Sequence, residues 1–211
     1  MRGDMTMRIL AAALVAALST PALSQAAPPP VSTEAPAAVF VPVAIETSAG
    51  RIVVALDKTH APVSTANFLH YVDTHRYNGE TFYRAMHVGD GGLIQGGVNS
   101  NALKLFPPIK HEPTSVTGLH NVAGAISFAN GGPGTARADF FILASDIPSF
   151  DATADDAGYA VFGYVVEGMD VVRKILASPV SPTKGSGALK GQMLEPPVKI
   201  IRIQRLPKSK P

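Results

Sequence analysis

The chain has no cysteine. That removes disulfides, thiolate nucleophiles and thiolate-ligated metals, and it excludes a lipid anchor of the kind attached to a cysteine after an export signal. Charge is scarce too: 16% of the 211 residues are charged and the formal net charge is +2. Such a balance leaves no electrostatic footprint for nucleic acid. No apolar run approaches the ~20 residues of an ordinary membrane-spanning helix. Neither a GxSxG nucleophile elbow nor a GxxxxGK[ST] phosphate loop occurs. The six histidines show no metal-ligand spacing. His70 and His75 are five apart and miss the same-face spacing of a helix, and His111 and His120 fall in loops. No metal and no cofactor are expected.

What is present begins at the amino terminus. Arg2 and Arg8 flank a short basic segment, Ile9 to Leu18 is uninterrupted apolar, and Pro21 to Ser24 supplies a turn and small residues. This order predicts an export signal over residues 1–26, cleaved after Ser24 or Ala26. The mature chain is then expected in the periplasm or secreted, with no stable membrane insertion. Residues 27–42 hold five prolines and almost no charge, which predicts an extended linker. A globular domain follows over 43–207, and 208–211 read as a tail.

Within the domain, Val43–Thr47 and Arg51–Leu56 flank Ser48-Ala49-Gly50 and read as a hairpin. Pro62 to Val72 reads as a helix whose buried stripe is Val63, Ala66, Leu69 and Val72, with Phe68 beside them. The stretch from Glu80 to Gly97, ETFYRAMHVGDGGLIQGG, has two strand-like arms, Thr81–Arg84 and Leu93–Gln95, joined by Gly89-Asp90-Gly91-Gly92. Ser100 to Val122 lacks periodicity and reads as loop. Further strands are expected at 124–128, 140–144, 159–165 and around Val198 to Ile203. A second helix is expected over 168–177, stopped by Pro179, and a flexible loop over 181–191. About eight short strands around one core suggest an antiparallel barrel.

FYR, LIQGG, SFANGGPGT with FFI, and YAVFGYVVEGMDVV, in that order and approximate spacing, closely resemble the cyclophilin family of peptidyl-prolyl isomerases. The resemblance covers about residues 43–205. It implies a mainly β fold: a closed eight-stranded antiparallel barrel capped by two α-helices. It also implies acceleration of X-Pro bond rotation in unfolded or flexible proline-containing polypeptides, by a monomer. Carried over by motif, it makes Arg84 the catalytic arginine, Gln95 a residue of the catalytic site and Phe141 the base of the proline pocket. Phe82, Leu93, Phe128, Ala129, Asn130, Asp139, Phe150 and Tyr159 fall at substrate-binding positions. Taken one at a time, Phe128 and Phe141 read equally as core residues, Gln95 as a partner for buried backbone, and Arg84 as a surface cation.

The sequence also departs from the family pattern. The connection from Ala85 to Gly92 is about three residues longer than usual and lacks the usual proline. Gly92 stands where a wall phenylalanine is usual, and Asp139 where glutamine is usual. An acid there leaves open a pairing with Arg84 that would either orient the guanidinium or weaken its contact with substrate. These departures leave a second reading open: the same barrel used as a non-catalytic chaperone or proline-peptide binding module.

Overall fold

The computed structural model describes residues 38–98 and 101–207. The expected export signal over 1–26, the linker as far as residue 37 and the tail over 208–211 lie outside them. The strands are β1 (Phe40–Thr47), β2 (Gly50–Asp57), β3 (Thr81–Val88), β4 (Gly91–Gly97), β5 (Ala125–Phe128), β6 (Phe140–Leu143), β7 (Val161–Glu167), β8 (Val180–Ser181) and β9 (Met193–Arg205). The α-helices are α1 (Pro62–Asp73), α2 (Thr114–Thr117) and α3 (Met169–Leu176). Strand order is β1-β2-β7-β5-β6-β4-β3-β9, and β9 pairs back onto β1. Eight antiparallel strands therefore close into a barrel with no free edge, and β8 adds to β9. The mainly β closed barrel matches the expectation. A ninth short strand and the single-turn α2 go beyond it.

Alternation along each strand sends one set of side chains inward. Ile45, Ile52, Val54, Phe82, Phe128, Phe140 and Phe162 are fully buried in the interior cluster. α1 sits at the Asp57 end of β2, where the Thr65 hydroxyl donates to the Asp57 carbonyl. α3 sits at the other end, where Lys174 Nζ donates to the Ala49 carbonyl. The two helices thus cover opposite mouths of the barrel. The face that α1 buries is only half of the expected stripe: Leu69 and Val72 are in it, with Phe68 beside them as expected, and Val63 and Ala66 are not. Phe68, Leu69, Tyr71 and Val72 are buried, whereas Val63 is 37% exposed and Ala66 faces solvent. The large rings of Phe68 and Tyr71 fill the mouth and turn the helix onto them. The first backbone N–H groups of α1 are satisfied from far along the chain: Val63 N and Ser64 N donate to the Glu112 carboxylate, a favourable charge at a helix N-terminus.

Three boundaries moved. β1 starts at Phe40, so the last three residues of the expected linker are strand. Pro42 fits there because pairing with β9 begins only at Val43, so its missing N–H leaves no ladder bond unmade. The expected loop after β3 is instead a regular extension of the hairpin. His87 pairs with Gly92 and Val88 with Gly91, leaving Gly89-Asp90 as a two-residue turn. Two-residue turns with positive φ match strand twist, and Gly89 has φ 55°. β7 begins at Val161, so Tyr159 lies just before a strand rather than in one.

One irregularity positions the site. Pairing of β3 with both β4 and β9 shifts between Phe82 and Arg84, leaving Tyr83 as a bulged residue. Without the bulge, a period of two would put Phe82 and Arg84 on the same face. With it, Phe82 points into the barrel and Arg84 points out.

Candidate active site

Pairing register assembles the site. Arg84 lies opposite Gln95, Gln95 opposite Phe141, and Phe141 opposite Ser127. Register partners share a face, so one rung across β3, β4 and β6 brings arginine, glutamine and aromatic ring together on the outside of the barrel. The next rung adds Met86 and Leu93. These side chains line a cavity of about 410 Å³ with Ala129, Asn130, Phe150, Tyr159 and Leu189. Phe141 is 2% exposed and forms its floor. The rings of Phe150 and Tyr159 stand edge-on to it, at centroid distances of 5.7 and 5.2 Å.

The two wall rings are held by a residue that sequence reasoning passed over. Asn121 Nδ2 donates to the carbonyls of Phe150 and Tyr159 and to Asp151 Oδ1. Its Oδ1 accepts from the Ser127 hydroxyl behind the rung. Asn121 is 1% exposed, so this buried polar hub is fully paired, as burial requires.

The Arg84 guanidinium is clamped on three sides. Nε donates to Gln192 Oε1 at 2.8 Å, Nη1 to Gln95 Oε1 at 2.7 Å, and Nη2 reaches Met86 Sδ at 3.1 Å. A guanidinium has five N–H donors and no acceptor, so two remain for a ligand. Burial lowers its pKa from the ordinary value, yet an arginine stays charged. Gln192 was missed as well. It closes the 182–192 segment, its own Nε2 tied to Ala188 O, and Leu189 of the same segment forms part of the cavity wall. Glycines and lysines there read as a solvated loop, and no periodicity marked Gln192.

Seven of the expected positions come together at this cavity besides Arg84: Gln95, Phe141, Leu93, Ala129, Asn130, Phe150 and Tyr159. Asn130 Nδ2 is buried without a protein partner. Phe82 and Phe128 do not join them. Both are fully buried inside the barrel, Phe128 stacked on Phe162 at 4.5 Å and Phe82 edge-on to Phe140. Phe128 shares the inward face of its register partner Phe140, and the bulge at Tyr83 puts Phe82 on the face opposite to Arg84. Gly92 cannot carry a wall side chain, because a Cβ there would meet the Met86 carbonyl oxygen at 1.9 Å.

Asp139 is also displaced from its expected role. It does not pair with Arg84. It lines an adjoining cavity of about 400 Å³ that shares Gln95, Ala129 and Asn130 with the first, and its Oδ2 accepts from the Tyr83 hydroxyl at 3.2 Å. The bulge explains the switch, since it turns Tyr83 rather than Arg84 toward Asp139. Burial is the main reason that the Asp139 carboxyl is pushed up to about 6; the Tyr83 hydrogen bond opposes the shift and Glu80 adds to it. Folding therefore favours the protonated acid. Between the ordinary value of 3.8 and about 6, the folded state binds more protons than the unfolded one, so this group's contribution to stability falls as pH rises. Above that window the fold carries the full cost, on the order of 3 kcal/mol. Asp139→Asn should accordingly melt about 6–12 °C above wild type at neutral pH, and the gap should close toward pH ~4.5. Calorimetric scans at the two pH values check this; an equal gap at both would refute the assignment of the cost to the buried charge.

Among the described residues no cluster of three His, Asp or Glu side chains is arranged to hold a metal ion. His60 and His120 instead meet single carboxylates, Asp57 and Asp151.

Comparison with known proteins agrees with this geometry. Residues 42–205 match the family described as cyclophilin-type peptidyl-prolyl cis-trans isomerase/CLD. A protein of Dickeya dadantii named peptidyl-prolyl cis-trans isomerase A is 42% identical over 175 residues, covering 81% of this chain and 85% of its own length. A peptidyl-prolyl cis-trans isomerase of Acinetobacter baylyi is 39% identical over 166 residues, 77% of this chain and 84% of its own. The crystal structure of a cyclophilin-type isomerase from Cryptosporidium parvum superposes with a TM-score of 0.64 at 22% identity, covering 82% of this chain and all of that one. A second structure of that protein, in the presence of the dipeptide Ala-Pro, has the same TM-score at 21% identity and covers 79% of this chain and 99% of that one; both speak for the fold. The chain belongs to the cyclophilin-type peptidyl-prolyl cis-trans isomerases.

Proposed function

We propose that the ring-lined cavity over Phe141 seats the proline of a flexible polypeptide and that Arg84 accelerates rotation about the preceding amide bond. The observation that carries this reading is the single rung Arg84–Gln95–Phe141, which sets a clamped cation beside an apolar, aromatic pocket. The barrier to rotation is roughly 18–20 kcal/mol and comes from lost amide resonance. Neither a nucleophile nor a proton transfer is needed. As the bond twists, the prolyl nitrogen becomes pyramidal and gains a lone pair. A donor that meets that lone pair binds the twisted form better than either planar form, which is what lowers a barrier. The two free N–H groups of Arg84 are suited to it, and a water-poor pocket strengthens the contact. Gln95 has committed its Oε1 to Arg84 and one Nε2 hydrogen to Tyr83, so its main part is to hold the guanidinium. The names of the bacterial relatives and the Ala-Pro dipeptide studied with the Cryptosporidium parvum protein support a proline-containing substrate.

The clients are proposed to be exported proteins that fold outside the cytoplasm, a reading that rests on the basic, apolar and small-residue order of residues 1–26. Catalysed refolding of a protein whose slow phase is X-Pro isomerisation tests the activity. The slow phase should speed up in proportion to added enzyme, whereas a mere binder would leave it unchanged or slow it. Export has its own test. N-terminal sequencing of protein from the periplasmic fraction should begin near residues 25–27, and an intact chain confined to the cytosol would overturn this part.

A further inference from the structure

Behind the cavity runs a chain of hydrogen bonds that the twisting step does not itself require. Arg84 Nη1 donates to Gln95 Oε1 at 2.7 Å, Gln95 Nε2 donates to the Tyr83 hydroxyl at 2.8 Å, and that hydroxyl donates to Asp139 Oδ2 at 3.2 Å. Its direction follows from counting protons. A guanidinium only donates, an ionised carboxylate only accepts, and a phenol has one hydrogen. With Asp139 ionised, the phenol hydrogen is committed to the carboxylate. The phenol oxygen can then only accept from Gln95, so the amide must present Nε2 to Tyr83 and Oε1 to Arg84. One orientation of the amide satisfies every link.

A protonated Asp139 loosens this. Its own O–H can donate to the Tyr83 oxygen, which frees the phenol hydrogen to turn toward Gln95. The amide meets that hydrogen only by flipping, and a flipped amide sets Nε2 against Nη1 of Arg84, donor against donor. We propose that Asp139 is a positioning residue for the isomerisation: its charge, relayed by Tyr83, locks the Gln95 amide and so holds the Arg84 guanidinium in its working geometry.

The surroundings of Asp139 fit a group poised to switch. Oδ1 is buried with no protein partner, and Gly97 packs so closely that a Cβ there would approach Oδ1 at 2.4 Å. Among the described residues no Lys, Arg or His forms an ion pair with it. Facing it are Tyr83 of β3, Glu80 just before β3, the hydroxyls of Tyr71 in α1 and Tyr77 after it, and Arg137, which lines the same cavity. Glu80 is itself bound to Lys104. With the carboxyl pushed up to about 6, the switch falls in the mildly acidic range.

The inference rests on the role given to Arg84 above, so its test needs a readout that is independent of catalysis. The side-chain amide resonances of Gln95 supply one, followed by NMR from about pH 8 to about pH 5, beside kcat/KM for an Ala-Pro peptide over the same range. In wild type the Gln95 signals should move with a midpoint near 6, and kcat/KM should fall about 5-fold toward the acid side with the same midpoint. Tyr83→Phe cuts the relay and keeps the ring. It should be slower at neutral pH, with a flat pH profile and a Gln95 amide that no longer titrates. Asp139→Asn should also be flat, and slower although more stable. Gln95 signals that ignore pH in wild type, or a Tyr83→Phe protein that keeps the wild-type profile, would overturn the relay. Should Asp139→Asn fail to fold, Tyr83→Phe decides alone. A protein that titrates at Gln95 as described but does not isomerise would sink the proposed function and leave the relay standing.

Discussion

Arg84→Ala should lower kcat/KM for X-Pro isomerisation by at least ~10-fold, or about 1.4 kcal/mol of transition-state stabilisation. The loss should fall on the rate and not on the fold. Arg84 stands on the outer face of the barrel, and its three partners are side chains of Gln192, Gln95 and Met86 rather than backbone. No ladder bond or core contact depends on it. Arg84→Lys should be impaired as well. An ammonium is a point charge and cannot meet acceptors on both flanks while keeping two parallel donors for substrate. Exchange of a short Ala-Pro peptide measured by NMR gives the rate, and circular dichroism reports the fold. A folded Arg84→Ala protein with wild-type exchange would remove Arg84 from the mechanism.

Phe128→Ala should do the reverse. Phe128 is fully buried between the barrel walls and stacked on Phe162. Truncating such a ring costs about 3–5 kcal/mol, the lost transfer energy plus the cavity left behind. For a chain of this length that is a fall in melting temperature on the order of 10 °C. The protein that remains folded should isomerise at close to the wild-type rate, because Phe128 does not reach the cavity. Thermal melts combined with peptide exchange below the melting transition separate the two effects. A variant that melts like wild type but binds proline peptides poorly would return Phe128 to the binding surface.

The contrast between these two residues marks where the sequence could be read and where it could not. Short alternating runs named the strands, and the ordered motifs FYR, LIQGG and FFI named the fold. Which face each residue takes depends on parity, and parity is reset by a single bulge. Counting by twos from Phe82 puts Arg84 inside the barrel. The bulge at Tyr83 puts it outside, on one rung with Gln95 and Phe141, and no local pattern announces that bulge. Neighbouring Phe140 and Phe141 divide in the same way, one to the interior and one to the pocket floor. The partner of Asp139 was hidden for the same reason: proximity to Arg84 in the fold suggested an ion pair, while the bulge offered Tyr83 instead. Gln192 and Asn121 were hidden by distance. Each acts through bonds to residues 29 or more positions away, and neither sits in a periodic segment.

The same reasoning separates the extended hairpin from the site. Two added rungs at the Gly89-Asp90 end lengthen β3 and β4 beyond Met86 and Leu93, so the extra residues leave the Arg84 rung in register.

The central claim is that X-Pro rotation takes place on the Arg84–Gln95–Phe141 rung. Two-dimensional exchange NMR on an Ala-Pro peptide, with the backbone and side-chain signals of the protein observed in the same samples, tests it most directly. Cis–trans cross-peaks should build up at catalytic amounts of protein, and the signals that shift should be those of Arg84, Gln95, Asn130, Phe141, Phe150 and Tyr159. Peptide binding that shifts these signals without cross-peaks, or catalysis whose shifts map elsewhere on the barrel, would contradict it.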